Sequence, residues 1–293
     1  MGAAELYAHL AGGLTTVVRC WALTRRDGLR LGFTDHDRAL SFDGLEFRAD
    51  SGLSAKAVQQ ATGLSVDNSE AMGALSDASL SEADIEAGRF DDAELVAWLV
   101  NWIDVSQRRI LFRGTLGQIR RGPSAFHAEL RGLTERLNRP MGRVYHKSCA
   151  AVLGDAACKF DLKTAGYLAE KDIVFVDGSQ SLSVAPLPGF ELGWFSRGRL
   201  EMLSGAAAGL SGGIKRDRHI DGLRVIDLWE PLRAPLAPGD RVRLTAGCDK
   251  MFETCRFKFN NIINFQGFPD VPEEDWMLTH ASSASVTDGG SRR

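Results

Sequence analysis

Four cysteines carry the chemistry most open to reading in this chain. Cys149 and Cys158 have eight residues between them, and Cys248 and Cys255 have six. Clustered thiols that do not belong to a short, cysteine-dense secreted chain point to metal binding or catalysis rather than to a disulfide framework. Thiolates are soft ligands, so a four-thiolate site suits zinc or an iron–sulfur cluster. Structural zinc favours pairs about two to four residues apart, where a tight knuckle donates backbone N–H groups to the sulfurs. These pairs are wider, and a multi-iron cluster, with corners several ångströms apart, accepts ligands from longer segments. The fifth cysteine, Cys20, sits alone beside Trp21 in an apolar stretch and is expected to pack as a small buried hydrophobe.

Other chemical candidates are weaker. Asp35-His36-Asp37 places a histidine between two carboxylates, but adjacent residues of a strand point to opposite faces, so a polar turn or partner contact is expected there. His146, three positions before Cys149, is expected to be structural. Gly205–Gly213 precedes Lys215, Arg216 and Arg218, yet no G-x-x-x-x-G-K-[ST] string is present. The stretch is expected to form a flexible hairpin or loop, with Lys215, Arg216 and Arg218 a solvated basic tip. No Gly-x-Ser-x-Gly or His-Glu-x-x-His motif occurs, and no catalytic residue is assigned. Phe257, Phe259, Phe265 and Phe268 are expected to form a core segment and to screen a metal centre from solvent.

The elements that must position these residues read mainly as strands. Thr15–Thr24 is rich in β-branched and aromatic residues, and the Arg-Arg-Asp-Gly turn after it leads into Leu29–Thr34, predicting a hairpin. Leu45–Arg48, Leu64–Val66, Glu94–Trp102, Arg109–Ile119 and Ser124–Arg131 continue the pattern. A helix is expected from Ser81, whose hydroxyl stands three residues before Asp84, to a stop at Gly88, and a second over Thr134–Asn138, before Pro140. Beyond the first cysteine pair, Ile173–Val176, Ser181–Val184, Arg197–Met202, Leu223–Leu228 and Arg241–Leu244 read as β, with Pro238-Gly239-Asp240 a turn.

The expected fold is mainly β with minor α: antiparallel β-barrel or sandwich domains joined by a cysteine-liganded cluster region. The expected organisation is a β-rich domain over 1–140, a cysteine-containing region over 141–165 and 245–272, an inserted β domain over 166–244, and a polar tail over 273–293. With 44% hydrophobic and 25% charged residues and a net charge of -3, the composition favours neither disorder nor a general nucleic-acid binder. Met1–Gly13 carries Glu5 and lacks a basic start, so no secretory signal is expected, and no apolar run is long enough for a membrane span.

A specific resemblance rests on the second cysteine pair and the residues after it. Gly247-Cys248-Asp249-Lys250, Thr254-Cys255, Lys258-Phe259-Asn260 and Asn264-Phe265-Gln266-Gly267-Phe268-Pro269 resemble the C-terminal signature of phage-type tail hub and tail-tip proteins, a family that includes the lambda tail-tip protein L and the hub of gene transfer agents. Both cysteine spacings and Tyr145-His146-Lys147-Ser148 fit that pattern. Gln266 departs from it, at a position that is not a ligand. Gly32-Phe33-Thr34-Asp35-His36-Asp37 is similar to the gene-transfer-agent branch.

The resemblance implies a 4Fe–4S cluster on Cys149, Cys158, Cys248 and Cys255, with zinc as the alternative. It implies a structural, non-enzymatic hub, made in the bacterial cytoplasm and assembled into the tail tip of a phage-like particle. The partners it implies are two further copies of the chain in a homotrimer, a distal tail protein ring, a central fibre or baseplate (megatron-like) protein, a tail peptidase, and DNA only in transit, with no stable membrane association. The competing expectation is an iron–sulfur or zinc enzyme, which needs an open metal position and a nearby acid–base group.

Overall fold

The computed structural model describes residues 2–49, 68–73, 81–121, 126–132, 142 and 144–271. The chain divides into two compact units, Met1–Pro140 and Met141–Arg293. The expected strand at Leu64–Val66, the expected helix at Thr134–Asn138 and the expected tail at 273–293 lie outside the described residues.

The first unit is built on strands β1 (Val17–Thr24), β2 (Arg30–Thr34), β3 (Leu40–Phe42), β4 (Leu45–Arg48), β5 (Asn68–Gly73), β6 (Glu94–Asn101), β7 (Arg108–Arg121) and β8 (Phe126–Gly132). They form one eight-stranded sheet in the order β3-β4-β2-β1-β6-β7-β8-β5. Alternate side chains of β1 enter opposite layers, as the two-residue period of a strand requires. Trp21 and Leu23 pack with Phe33, Phe90, Leu95 and Phe112 on one face, while Cys20 and Ala22 pack with Phe42, Phe47, Trp98 and Val100 on the other. Cys20 is therefore a core residue, and burial pushes its thiol up to about 11.

The β1–β2 hairpin forms with Trp21 opposite Phe33, and Arg25 N–H donates to the Leu29 carbonyl across the turn. The Ser81 cap also forms. Its hydroxyl accepts from Asp84 N–H at the start of α2 (Glu82–Glu86), and Gly88 comes after the helix with φ 71°.

Three features of this unit depart from expectation. It is a single sheet rather than a barrel or sandwich, and it is mixed, because β2 pairs with β4 in parallel. The cause is a tight hairpin between β3 and β4. Asp43 (φ 51°) and Gly44 (φ 68°) supply the left-handed conformations of a two-residue turn, which returns the chain alongside β2. Helix α1 (Gly2–Ala11) was not anticipated. It buries Leu6 and packs against β7.

In the second unit β9 (Leu168–Asp177), β10 (Ser181–Val184), β11 (Arg199–Met202), β12 (Ser211–Ile220), β13 (Leu223–Leu228) and β14 (Arg241–Thr245) close an antiparallel barrel in the order β10-β13-β12-β11-β14-β9. Leu182, Val184, Leu200, Met202, Ile214, Ile226, Val242 and Leu244 fill its core. The stretch expected to be a flexible hairpin or loop with a basic tip is the β11–β12 hairpin, with the basic residues on β12 rather than at the tip. Its turn spans Gly205–Gly209, but Ser211 onwards is barrel strand, and Arg218 pairs with Asp227 of β13 at 2.6 Å. Glycines argued for a loop; here Gly212 lies where a Cβ would come within 3.3 Å of Leu228, so the glycine serves barrel packing.

One ion pair is fully buried in the barrel. Arg224 and Asp217 meet at 2.6 Å, and both also bond the loop after β10. Arg224 donates to the carbonyls of Phe190 and Glu191, and Asp217 accepts from Phe195 N–H at 3.0 Å. This pair fixes the loop that carries Trp194. After β14 come a short helix, α3 (Phe252–Phe257), and a 3-10 turn over Ile262–Asn264. No helix among the described residues is long and apolar enough to cross a membrane.

Candidate metal centre

The four paired cysteines line one cavity of the second unit, with Lys250, Asn261, Phe259 and Phe265 among the other walls. Two segments on either side of the barrel in sequence thus converge, because the barrel's first and last strands, β9 and β14, pair with each other. The chain enters and leaves the barrel at the same end, where Ala246 N–H donates to the Tyr167 carbonyl at 2.8 Å.

Each cysteine pair is bridged by a loop that an aspartate organises. Between Cys149 and Cys158, Asp155 accepts from the N–H groups of Val152 (2.8 Å), Ala157 (2.9 Å) and Cys158 (2.6 Å). The bond from Cys158 is the largest cause holding the Asp155 carboxyl below its ordinary range. Between Cys248 and Cys255, Asp249 accepts from Met251 N–H at 2.9 Å and from the Thr254 hydroxyl at 2.8 Å, which starts α3 one turn before Cys255. The two loops are joined directly, since Cys149 N–H donates to the Lys250 carbonyl at 2.8 Å and the Lys250 ammonium donates to the Ala151 carbonyl.

The signature glycine Gly247 is explained by close approach. A Cβ there would stand 1.7 Å from the Ser196 carbonyl oxygen, so only glycine lets Cys248 emerge directly from the barrel. Gly267 has the same role against the Lys147 carbonyl, 2.6 Å from where its Cβ would be.

Donors surround the sulfurs. Gln266 N–H points at Cys149 Sγ (3.4 Å), and the Asn261 side-chain amide at Cys158 Sγ (3.5 Å) and at the Cys158 carbonyl (2.7 Å). Cys255 Sγ donates to the Asn261 carbonyl at 3.4 Å. Burial raises the Cys255 thiol to about 11, and the neighbouring Cys149, Cys248 and Cys158 push it further the same way. Burial likewise raises Cys248, against the opposing pull of the Lys250 N–H and ammonium. In this form Cys255 is a thiol at neutral pH, so a metal centre must displace its proton on binding. Among the described residues, no group of three or more His, Cys, Asp or Glu side chains is placed to hold a metal ion.

Residues 3–161 match the family model for the baseplate hub protein, N-terminal attachment domain. This chain belongs to the baseplate hub protein family. A second model, phage conserved hypothetical protein BR0599, matches residues 193–275 of the hub chain. A solved structure of the virion of a native gene transfer agent particle contains a chain similar to this hub, at 54% identity with a TM-score of 0.90, covering 98% of this chain and 99% of that one. No curated protein matches.

The other candidates of the hub sequence fall outside the cysteine cavity. Asp35-His36-Asp37 forms a polar turn in the first unit: Asp35 accepts from Arg19 N–H at 2.7 Å, and His36 Nδ1 accepts from Arg38 N–H at 2.9 Å. His146 bonds the Ser148 hydroxyl at 3.0 Å and, through its carbonyl, Phe268 N–H at 2.9 Å. Of the four phenylalanines expected to screen the centre, Phe259 and Phe265 line it. Phe268 instead packs on Tyr145, with ring centroids 4.7 Å apart. Phe257 is 75% exposed, because two residues along a helix from Cys255 it faces away.

Asn261, Asp155, Asp249 and Lys258 are the residues a cysteine count misses. Only the aspartates had a local signal, each sitting inside a cysteine loop where Asp commonly bonds nearby backbone.

Proposed function

We propose that this chain is a structural hub of a phage or gene-transfer-agent baseplate, in which Cys149, Cys158, Cys248 and Cys255 hold a 4Fe–4S cluster. Its role as a baseplate hub component comes from the family. The cluster assignment is carried by one observation, the convergence of all four thiols on one cavity from segments on either side of the barrel.

The donor set fits such a group. Four sulfurs, N–H donors aimed at Cys149 and Cys158, and aromatic walls from Phe259 and Phe265 are the surroundings in which a soft, thiolate-bound cluster is held and screened. When bound, the cluster supplies iron corners that cross-link the two cysteine segments. The residues here do the rest: Asp155 and Asp249 shape the loops, Asn261 and Gln266 orient sulfurs, and Lys250 ties one loop to the other. The centre on this reading closes the chain around the barrel as structural metals do in small domains, and no turnover is assigned to it.

Extended to the particle, the reading is a homotrimer set between the distal tail ring and the central fibre or baseplate protein, with a tail peptidase as neighbour, DNA passing only during delivery, and synthesis in the bacterial cytoplasm before assembly. Its test is assembly. Particles produced with Cys248→Ser should lack the hub or fail to deliver DNA, whereas complete, transducing particles built from metal-free chains would contradict the structural role of the centre.

A further inference from the structure

We infer that Lys258 is the counter-charge of the cysteine centre and the positioning residue that ties Cys248 to the barrel. The inference rests on the cluster reading above and assigns to it a residue outside the cysteine quartet.

The ammonium is held in an unusual way. Lys258 Nζ donates to the Trp194 carbonyl at 2.7 Å and to the Gly247 carbonyl at 2.8 Å, and it lies 4.3 Å from the centroid of the Trp194 ring. Trp194 belongs to the loop fixed by the Arg224–Asp217 pair, and Gly247 is bonded directly to Cys248. A single cation therefore clasps the barrel to the second cysteine segment. Its own backbone is pinned as well, because the Tyr167 hydroxyl donates to the Lys258 carbonyl at 2.6 Å. Tyr167, Phe160 and Phe259 pack as an aromatic cluster beside it.

What this cage lacks is an anion in contact. Among the described residues, the Lys258 ammonium makes its hydrogen bonds to carbonyls alone, and no carboxylate pairs with it. A half-buried charge without a contact partner is costly, because carbonyl dipoles and a ring face replace only part of its hydration. Burial disfavours the charge most, Cys248, Asp249, Asp217 and Glu191 oppose that from a distance, and the bond to the Gly247 carbonyl sets the ammonium one residue from Cys248. Four thiolates around iron and sulfide carry net negative charge, and such a group beside Cys248 supplies the missing partner. Lys250, on the cavity wall, adds a second cation, but its ammonium is committed to the Ala151 carbonyl. Positive charge near a cluster favours the more negative, reduced form, so Lys258 raises the reduction potential of the centre as well as its retention.

The test compares full-length hub with Lys258→Met and Lys258→Arg, each purified anaerobically. The readouts are iron and sulfide content, midpoint potential by spectroelectrochemistry, and the rate of iron release to a chelator. Lys258→Met is expected to shift the midpoint to more negative potential and to weaken iron retention about 10- to 100-fold, the usual cost of losing an outer partner of a metal ligand. Lys258→Arg keeps the charge and is expected to hold the potential near that of the parent chain even where its bulk loosens the clasp. A loss of packing alone would lower stability in both variants without this split in potential. If Lys258→Met does not fold, a parent-like potential in Lys258→Arg beside a lowered one in Lys258→Gln supports the assignment, and equal potentials in the two overturn it. A parent chain that binds no iron overturns the cluster reading and this inference with it. A parent chain that binds iron, with Lys258→Met matching its potential and release rate, overturns the Lys258 assignment alone.

Discussion

The side-chain amide of Asn261 donates to the carbonyl oxygen of Cys158 across 2.7 Å, although 103 positions separate them. Asn261 also accepts the Asn264 amide at 2.7 Å and caps the second pair through its backbone, its N–H donating to the Cys255 carbonyl and its carbonyl accepting the Cys255 thiol. One buried residue thus binds a member of each cysteine pair. The chain therefore has a polar clasp around the cavity that does not itself require metal.

Asn261→Leu should expose the value of that clasp. It leaves the Cys158 carbonyl without its donor in a buried place, an imbalance that costs about 1–3 kcal/mol. The expected outcome is a lower midpoint of chemical unfolding and weaker metal retention, read on the same samples. An unchanged midpoint would show that the Cys158 carbonyl finds another partner.

Arg224 and Asp217 are expected to behave as a unit. Arg224→Met leaves the Asp217 carboxylate buried without its cation, which costs about 3–5 kcal/mol, whereas replacing both by apolar residues of similar size costs much less. Denaturant unfolding of the two single variants and the double variant measures the coupling. A double-variant loss equal to the sum of the two single losses would show no coupling and remove the pair from its role in fixing the Trp194 loop.

Cys20 predicts an alkaline weakness of the first unit. Its thiol is pushed up to about 11 in the folded core from an ordinary 9.0, mainly by burial, with its bond to the Thr34 hydroxyl acting in the opposite direction. Between those values the unfolded chain has released a proton that the folded chain keeps. Stability from this group is complete below about pH 9 and is lost as pH rises toward about 11, at no more than about 1.4 kcal/mol per pH unit. Cys20→Ala should flatten that slope in pH-dependent unfolding, and an identical slope in both chains would assign it elsewhere.

How much of the molecule is legible in its sequence depends on how local each signal is. The β1–β2 hairpin and the Ser81 cap are readable because a handful of adjacent residues determines them. The cysteine quartet is readable because spacing within each pair is also local, and the family signature joins the pairs. The parallel pairing of β2 with β4 escapes such a reading, since it depends on where a two-residue turn sends the chain. The hairpin turn before Ser211 is legible from its glycines but the strand Ser211–Ile220 after it is not, while Asp217 and Arg224 find each other only inside a closed barrel. Lys258 stands in the family signature, but nothing in the sequence around Lys258 or Asn261 tells what either side chain bonds. Their partners at Cys158 and Trp194 become neighbours only once β9 and β14 bring the two ends of the barrel together.

The central claim is that the four thiols hold one iron–sulfur cluster, and metal analysis of anaerobically purified chain, with acid-labile sulfide measured on the same sample, tests it most directly. The account predicts about four iron and about four sulfide per chain with a broad visible absorption band, all lost in Cys248→Ser. About one zinc per chain, with no sulfide and no visible band, would contradict it.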